Sequence, residues 1–219
     1  FINDGSKDKT LDILQDIAKV DKNVKIISFS RNFGHQAAVT AGLKYVTGDA
    51  IIIIDADLQD PPELIPDMIE KWEQGYEVIY GKRKKRNGES AFKLLTAKAF
   101  YTTLNKLSDV DIPGDTGDFR LLDRRCVEAL KSMRENQRYT KGLFSIIGYN
   151  KKEILYDRDP RAAGQTKWNY GKLIDLSIDG ITSFTTSPLR WAALIGCGVS
   201  VIGFVYMLYI IIKTIVTGI

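Results

Sequence analysis

The sequence predicts an α/β fold, a three-layer arrangement with a mainly parallel sheet, followed by a membrane-attached C-terminal segment. Two observations predict the sheet domain: short apolar runs alternate with stretches of helical periodicity, and turn-forming residues separate them. A third predicts the membrane segment, because 191–212 is an uncharged apolar run and about 20 such residues cross a bilayer. The predicted boundaries are 1–157 for the α/β domain, 158–189 for a basic loop and an interfacial helix, and 190–213 for the spanning helix.

The composition is that of an ordinary globular protein with a mild positive charge. Of 219 residues, 44% are hydrophobic and 26% are charged, and the formal net charge is +4. That excess is too small to indicate nucleic-acid binding. The two cysteines, Cys126 and Cys197, lie in different surroundings. We therefore predict two buried apolar side chains rather than a disulfide, which fits a reducing compartment.

The α/β domain opens on a strand, a turn and a helix. Phe1 and Ile2 stand directly before a turn, so we expect the tail of a strand whose beginning, with the first strand of the sheet, precedes this sequence. Gly5 permits a left-handed turn, and apolar residues then recur at helical spacing from Leu11. The later predicted strands are 24–29, 51–54, 77–81, a short one following the loop 111–120, and 152–156. The later predicted helices are 37–46, one after Pro62, 90–107, 124–133 and 139–147.

The strongest functional signal is a pair of carboxylates at the end of one predicted strand. Four isoleucines run directly into Asp55 and Asp57, and two prolines close the segment. Side chains alternate along a strand, so both carboxylates are expected on the same side. In α/β sheets ligands bind at the carboxyl ends of strands. On this spacing alone a solvated acidic turn is an equally good interpretation, and the nearby Gln59 favours a site for a hard cation.

Two basic segments follow. The segment 82–86, with Arg83 and Arg86, comes directly after a predicted strand, and a solvated loop or an anion-binding loop explains it equally well. The segment 158–168 is basic and contains glycine and proline, which is typical of a mobile loop over a site.

The C-terminal part is predicted to lie on the membrane and then to cross it. Residues 172–188 carry apolar side chains on one helical face, which is typical of an interfacial helix. Basic residues crowd the N-terminal side of the span up to Arg190, whereas only Lys213 lies beyond it. The globular part is therefore expected to face the cytoplasm at a bacterial inner membrane. Glycines within the span permit self-association into a homo-oligomer.

Taken together, several motifs resemble those of glycosyltransferase family 2, and within it the polyprenyl-phosphate glycosyltransferases, the group of the dolichyl-phosphate mannose synthases and the bacterial undecaprenyl-phosphate glucosyltransferases. The matching motifs are Asn3-Asp4-Gly5-Ser6-x-Asp8-x-Thr10, Arg31-Asn32-Phe33-Gly34, Asp55-Ala56-Asp57-Leu58-Gln59-Asp60-Pro61-Pro62, Gly117-Asp118-Phe119-Arg120 and Gln165-Thr166-Lys167-Trp168. The resemblance covers essentially the whole chain, and it implies the Rossmann-like GT-A fold. The chain departs from the family in lacking an initial strand with a Pro-x-Tyr-Asn-Glu-like loop, and in having one span where members often have two or more.

The resemblance implies a sugar transfer from a nucleotide diphosphate to a lipid phosphate, assisted by Mg²⁺ or Mn²⁺. It makes Asp57 the expected metal ligand, with Gln59 assisting, and places Asp55 on the sugar or ribose. Asp4 and Ser6 match the nucleotide-binding segment. Lys167, together with Arg161, is expected to close over the donor diphosphate from the mobile loop.

On the acceptor side, Asp118 matches the family's catalytic base. A phosphomonoester is already largely ionised at neutral pH, since its second pKa is about 6, so Asp118 is expected to orient the acceptor more than to deprotonate it. Arg120, Arg83 and Arg86 are candidates for the lipid phosphate, because a guanidinium fork matches phosphate oxygens.

Two other functions stay open at this point. One is a membrane-tethered module that binds a nucleotide sugar without catalysis. The other is a phosphohydrolase with Asp55 as nucleophile, although such enzymes usually carry Thr or Val where this chain has Gln59. His35 is interpreted as a loop residue rather than a ligand, because a lone His has no second soft partner.

Overall fold

The computed structural model describes residues 1–84, 116–133, 140–157 and 187–218, together with Thr102, Ile178 and Thr185. The helix predicted over 90–107 and most of the segment 158–189 lie outside the described residues. The strands are β1 (Ile2–Asn3), β2 (Ile27–Ser28), β3 (Ala50–Ile53), β4 (Val78–Arg83), β5 (Thr116–Asp123) and β6 (Lys151–Tyr156). The helices are α1 (Thr10–Val20), α2 (His35–Tyr45), α3 (Ile65–Glu73), α4 (Arg124–Ser132), α5 (Thr140–Ile146) and α6 (Ser187–Thr217), and a 3₁₀ turn, Pro62–Leu64, precedes α3.

The described strands form a parallel pair, β1–β2, and a four-stranded sheet in the order β3-β5-β4-β6. Strand β5 runs antiparallel to both of its neighbours, whereas β4 and β6 are parallel. The α/β class is confirmed, but the described pairings are mixed rather than mainly parallel. A strand covered on both faces carries the same apolar pattern in either direction, so the sequence did not reveal the reversal at β5.

The sheet is the middle of three layers, because two hydrophobic clusters cover its opposite faces. Side chains alternate along β5, so Leu122 belongs to one cluster and Leu121 to the other. The larger cluster joins the sheet to α2, α4 and α5, and the smaller joins it to α3 through Met68, which is fully buried. Asp123 connects the two sides: one oxygen caps α4 by accepting from the Arg125 amide at 2.8 Å, and the other accepts from Trp72 Nε1 at 2.9 Å.

Strand register brings four chain segments to one edge of the sheet. Ile53 at the end of β3 pairs with Arg120 in the middle of β5. Lys82 pairs with Thr116, and Arg83 pairs with Tyr156 at the end of β6. Two loop predictions are therefore wrong: Lys82 and Arg83 belong to β4, and the Gly117–Asp118 segment belongs to β5. Both segments form strand pairings with distant parts of the chain. The turn-forming residues within them gave no indication of these pairings.

The C-terminal helix α6 is long and apolar enough to cross a membrane, and no other helix of the described ranges is. Its stretch Leu189–Thr217 has a mean hydropathy of 2.3, and its most apolar part is not buried inside the chain. The predicted apolar span is thus a helix. Pro188, predicted to end the preceding segment, is its second residue, a first-turn position that tolerates proline. Cys126 is buried as predicted, but Cys197 lies exposed on α6.

Candidate active site

The sheet edge collects carboxylates from two separate motifs and a histidine from a third segment. Asp55 follows β3, Asp118 lies in β5, and His35 is the first residue of α2. His35 Nε2 lies 3.0 Å from Asp118 Oδ2, and Nδ1 lies 3.9 Å from Asp55 Oδ1. The imidazole therefore stands between Asp118, which matches the family's catalytic base, and Asp55, the carboxylate predicted to hold the sugar or ribose. The interpretation of His35 as a mere loop residue was wrong.

The segment after β3 leaves the sheet as a tight turn. The strand ends at Ile53, so Asp55 and Asp57 both lie beyond it. The prediction that strand alternation places these two side chains therefore does not hold. Asp57 Oδ1 accepts a hydrogen bond from the Gln59 amide at 3.2 Å. Leu58 between them has φ 57°, a left-handed conformation that is unusual for a residue other than glycine. Such strain concentrates at functional sites, and here it lies directly beside Asp57.

Asp55 lies in an environment that disfavours its charge. Burial raises the pKa of its carboxyl most, the nearby His35 counteracts this, and the carboxylates of Asp118, Asp60 and Asp57 raise it further. Four acidic groups thus share one small region. Such crowding is costly in the absence of a compensating cation.

Asp60 is a buried anchor beneath this turn. Its side chain is 1% exposed, and Oδ1 accepts a short hydrogen bond from the phenol of Tyr156 at the end of β6. Burial, together with the bond to Asp60, raises the pKa of Tyr156 to about 12. The side chain of Arg83 interacts with the same phenol. It also lies beside Gly117, because a Cβ atom added to Gly117 would be 3.7 Å from Arg83 Nη2. Sequence reasoning missed Tyr156, whose only signal is its place at the end of a strand on the ligand edge.

Asp4 organises the loop that precedes α2. Its Oδ1 accepts from the Phe33 amide at 2.7 Å and its Oδ2 accepts from the Gly34 amide at 3.0 Å. Asn32 Nδ2 also donates to the Asp4 carbonyl at 3.1 Å. The predicted nucleotide-binding segment is therefore clamped to the Arg31–Gly34 segment. Ser6, the other predicted nucleotide contact, is exposed beside it.

Arg120 is buried rather than presented to solvent. Its guanidinium stacks on the Phe144 ring, with 3.8 Å from Cζ to the ring centroid. Nη2 donates to the Gly117 carbonyl at 2.8 Å and Nε donates to the Asp118 carbonyl at 3.3 Å. The side chain is 4% exposed, and burial lowers its pKa to about 10. These contacts hold the backbone of the segment that carries Asp118.

The other predicted cationic ligands divide into two groups. Arg83 lies on the edge, and its buried Nε has no hydrogen-bond partner within the described part of the chain. Arg86, Arg161 and Lys167 lie outside the described residues, so their predicted roles stay predictions.

The carboxylates of the edge fit a divalent cation, although no cage of protein ligands is formed. Within 1–84, 116–133, 140–157 and 187–218, no group of three or more His, Cys, Asp or Glu side chains is placed to hold a metal ion. Mg²⁺ characteristically takes one or two carboxylates and completes its shell with water and substrate phosphate. Asp57, with Gln59 beside it and further carboxylates nearby, offers the hard oxygen donors of such a site.

Comparison with known proteins defines the class of protein. The profile of glycosyl transferase family 2 matches residues 1–131, more than half of the chain. The chain therefore belongs to glycosyl transferase family 2, as its motifs predicted, and its α/β fold is GT-A-like.

Two relatives and one solved structure illustrate the similarity. An uncharacterized glycosyltransferase of Bacillus subtilis, YkcC, is 51% identical over 96% of this chain and 65% of its own length. A prophage bactoprenol glucosyl transferase homolog of Escherichia coli is 46% identical over 100% of this chain and 71% of its own length. The chain thus spans about two thirds of the length of these relatives. A mannosyltransferase from Pyrobaculum calidifontis, in complex with GDP-Man and Mn²⁺, is 16% identical with a TM-score of 0.48, covering 78% of this chain and 49% of its own.

Proposed function

We propose that the chain transfers a sugar from a nucleotide-diphosphate sugar, UDP-glucose-like or GDP-mannose-like, to a polyprenyl phosphate. The observation that carries the proposal is the meeting of Asp55, Asp57 and Asp118 at one sheet edge of a family 2 domain that continues into an apolar helix. Relatives named bactoprenol glucosyl transferases, 45–46% identical over the whole chain, support the lipid acceptor.

On the donor side, the nucleotide lies over the clamped turn at Asp4 and Ser6. Gly5, with φ 65°, allows this turn to lie directly against the Arg31 backbone, which shapes the surface offered to the nucleotide. Asp55 holds the sugar or ribose by accepting hydroxyl hydrogen bonds. Lys167 contributes positive charge to the diphosphate from the basic loop.

Asp57, assisted by Gln59, would hold Mg²⁺ or Mn²⁺ together with the diphosphate of the donor. A divalent cation there supplies Lewis-acid neutralisation of the charge that develops on the leaving diphosphate. The left-handed backbone at Leu58 and the hydrogen bond from the Gln59 amide to Asp57 Oδ1 keep this carboxylate in place before substrate arrives. This lowers the free-energy cost of organising the site.

On the acceptor side, the phosphate oxygen attacks the anomeric carbon directly, with inversion. Asp118 orients this oxygen and takes a residual proton. Arg83, with Arg86, binds the remaining phosphate oxygens, because its guanidinium lies at the edge beside Gly117. Arg120 supports Asp118 from behind through the Gly117 and Asp118 carbonyls. A second carboxylate as nucleophile, the arrangement of retaining glycoside hydrolases, is not required.

The membrane helix places this chemistry at the lipid surface. A polyprenyl phosphate keeps its chain in the bilayer, so the enzyme must work at the interface. Arg190 flanks the N-terminal side of the span and Lys213 lies near its other end. The excess of basic residues before the span favours a cytoplasmic catalytic domain, where nucleotide sugars are available.

A donor screen tests the proposal. The purified full-length protein in lipid nanodiscs is incubated with undecaprenyl phosphate, Mg²⁺ or Mn²⁺, and one nucleotide sugar at a time, and the lipid products are weighed by mass spectrometry. A lipid phosphate heavier by one sugar residue is expected with one donor. Calorimetric binding of a nucleotide sugar without turnover would identify a binding module instead, and a phosphoryl group trapped on Asp55 would identify a phosphohydrolase.

A further inference from the structure

We propose that His35 is a positioning residue that holds Asp118 in place and couples the nucleotide-side loop to the acceptor-side carboxylate. The proposal rests on the proposed transfer function. It concerns a residue that none of the family motifs discussed above includes.

The contact geometry supports this role. His35 Nε2 reaches Asp118 Oδ2 at 3.0 Å across 83 positions of sequence, while Nδ1 faces Asp55 Oδ1 at 3.9 Å. The Asp118 side chain is only 14% exposed, whereas that of His35 is 44% exposed. An ionised carboxylate only accepts hydrogen bonds, so the tautomer with its proton on Nε2 is the one that donates in this contact. The contact fixes one oxygen of the Asp118 carboxylate.

The backbone beneath the imidazole is anchored to the donor side. Gly34, which immediately precedes His35, adopts φ 96° and is the N-cap residue of α2. The amides of Phe33 and Gly34 donate to the two oxygens of Asp4. Asp4, the Arg31–Gly34 segment, His35 and Asp118 are therefore joined by consecutive covalent and hydrogen-bonded links.

The position of the ring explains why a histidine suits this site. Its two nitrogens lie 3.0 Å from Asp118 Oδ2 and 3.9 Å from Asp55 Oδ1, so one side chain reaches both carboxylates. Without the imidazole, Asp118 loses a partner that fixes its rotamer. The expected result is a misplaced acceptor with an intact donor site, which lowers kcat and leaves the donor KM unchanged.

A set of three substitutions separates positioning from simple packing. His35→Ala removes both nitrogens, His35→Gln keeps a donor near the Nε2 position, and His35→Asn keeps one near the Nδ1 position. For Ala and Asn we expect kcat to fall roughly 10- to 100-fold, the range for losing a hydrogen bond to a charged group. For Gln we expect recovery to within about 5-fold of wild type, with unchanged donor KM throughout. Equal kcat in all three variants and wild type, or equal losses in Gln and Ala at unchanged melting temperature, would overturn the proposal.

A second measurement needs no turnover. After selective ¹⁵N labelling of histidine, the ring signals of His35 are identified as those that are missing from the spectrum of His35→Gln. The Nε2 resonance of the full-length protein should shift in Asp118→Asn and stay unchanged in Asp16→Asn, which alters an exposed carboxylate on α1. An Nε2 resonance insensitive to Asp118→Asn would contradict the contact. If wild type transfers no sugar, the proposed function fails, while this spectrum still decides whether His35 holds Asp118.

Discussion

Tyr156, at the end of the last sheet strand, donates its phenol hydrogen bond to the buried carboxylate of Asp60. The two residues are 96 positions apart, and their contact pins the turn after β3 to β6. Asp60 lies three residues after Asp57 in the same segment. We therefore expect the contact between Tyr156 and Asp60 to contribute both to the stability of the domain and to the orientation of the proposed metal ligand.

Tyr156→Phe is expected to destabilise the protein and to reduce transfer. It removes a buried hydrogen bond to a charged group, which is worth about 1.5–3 kcal/mol. The melting temperature and the metal concentration for half-maximal transfer should report the two effects. Tyr149→Phe is the matched control, because the Tyr149 hydroxyl makes only a long, exposed bond to the Arg125 carbonyl at 3.4 Å. Equal melting temperatures for both variants would show that the Asp60 contact contributes nothing.

The same contact predicts a loss of stability at alkaline pH. The folded-state pKa of Tyr156 is raised to about 12, above the unfolded value of about 10. The protonated phenol is favoured by folding, so its contribution is complete below pH ~10 and is lost as the pH rises toward 12. Melting temperatures of wild type should fall across this window, and those of Tyr156→Phe should fall less steeply. The buried Cys126, whose pKa burial raises to about 12, adds a background slope to both. Parallel slopes would contradict the assignment.

Two glycine substitutions test the clamp between the first turn and the loop before α2. A Cβ atom on Gly5 would lie 2.3 Å from the Arg31 carbonyl carbon and 2.6 Å from the Asn32 amide nitrogen. Gly5→Ala should therefore displace the loop and raise the donor KM. Gly34→Ala meets nothing within 4 Å and suffers only the cost of φ 96° and ψ 158°, about 1–3 kcal/mol. Gly5→Ala is expected to melt at the lower temperature, and the reverse order would argue against a close approach at Gly5.

Substitutions of two arginines separate support of Asp118 from binding of the acceptor. Arg120→Lys loses the planar stack on Phe144 and the fork to the Gly117 and Asp118 carbonyls. We expect lower kcat and a lower melting temperature with little change in acceptor KM. Arg83→Lys should instead raise the acceptor KM, because an ammonium cannot bind phosphate in two-pronged fashion. Both expectations are checked by steady-state kinetics in which the polyprenyl phosphate concentration is varied. An acceptor KM raised mainly by Arg120→Lys would identify Arg120, rather than Arg83, as the residue that binds the lipid phosphate.

Local patterns in the sequence predicted most helices and strands of the described residues and the position of the acidic turn. The isoleucine run predicted β3, and helical spacing predicted α1, α3 and α4. The same local patterns did not predict that the chain turns away from the sheet after Ile53. The left-handed conformation of Leu58 in this turn is not indicated by its residue type. The direction of β5 was also not predictable, because a strand buried on both faces has the same apolar pattern whether it runs parallel or antiparallel to its neighbours.

The contacts that complete the site were beyond local patterns. His35 meets Asp118, and Tyr156 meets Asp60, only after the sheet has formed. Neither pair shares a spacing along the chain that a helix or a strand would impose. Arg120 lies in a motif that the sequence predicts to be functional, and its burial depends on Phe144 from α5, which tertiary packing alone determines.

The most direct measurement is the initial rate of sugar transfer to undecaprenyl phosphate by wild type, Asp57→Asn and Asp67→Asn, with metal present and after chelation. Asp67 is an exposed carboxylate on α3, so its variant changes charge by the same amount away from the edge. Wild type and Asp67→Asn are predicted to form the glycosylated lipid only with metal, and Asp57→Asn is predicted to lose at least about 100-fold in rate, as expected for removing a principal electrostatic group. No glycosylated lipid from wild type with any common donor, or transfer unaffected by Asp57→Asn, would contradict the account.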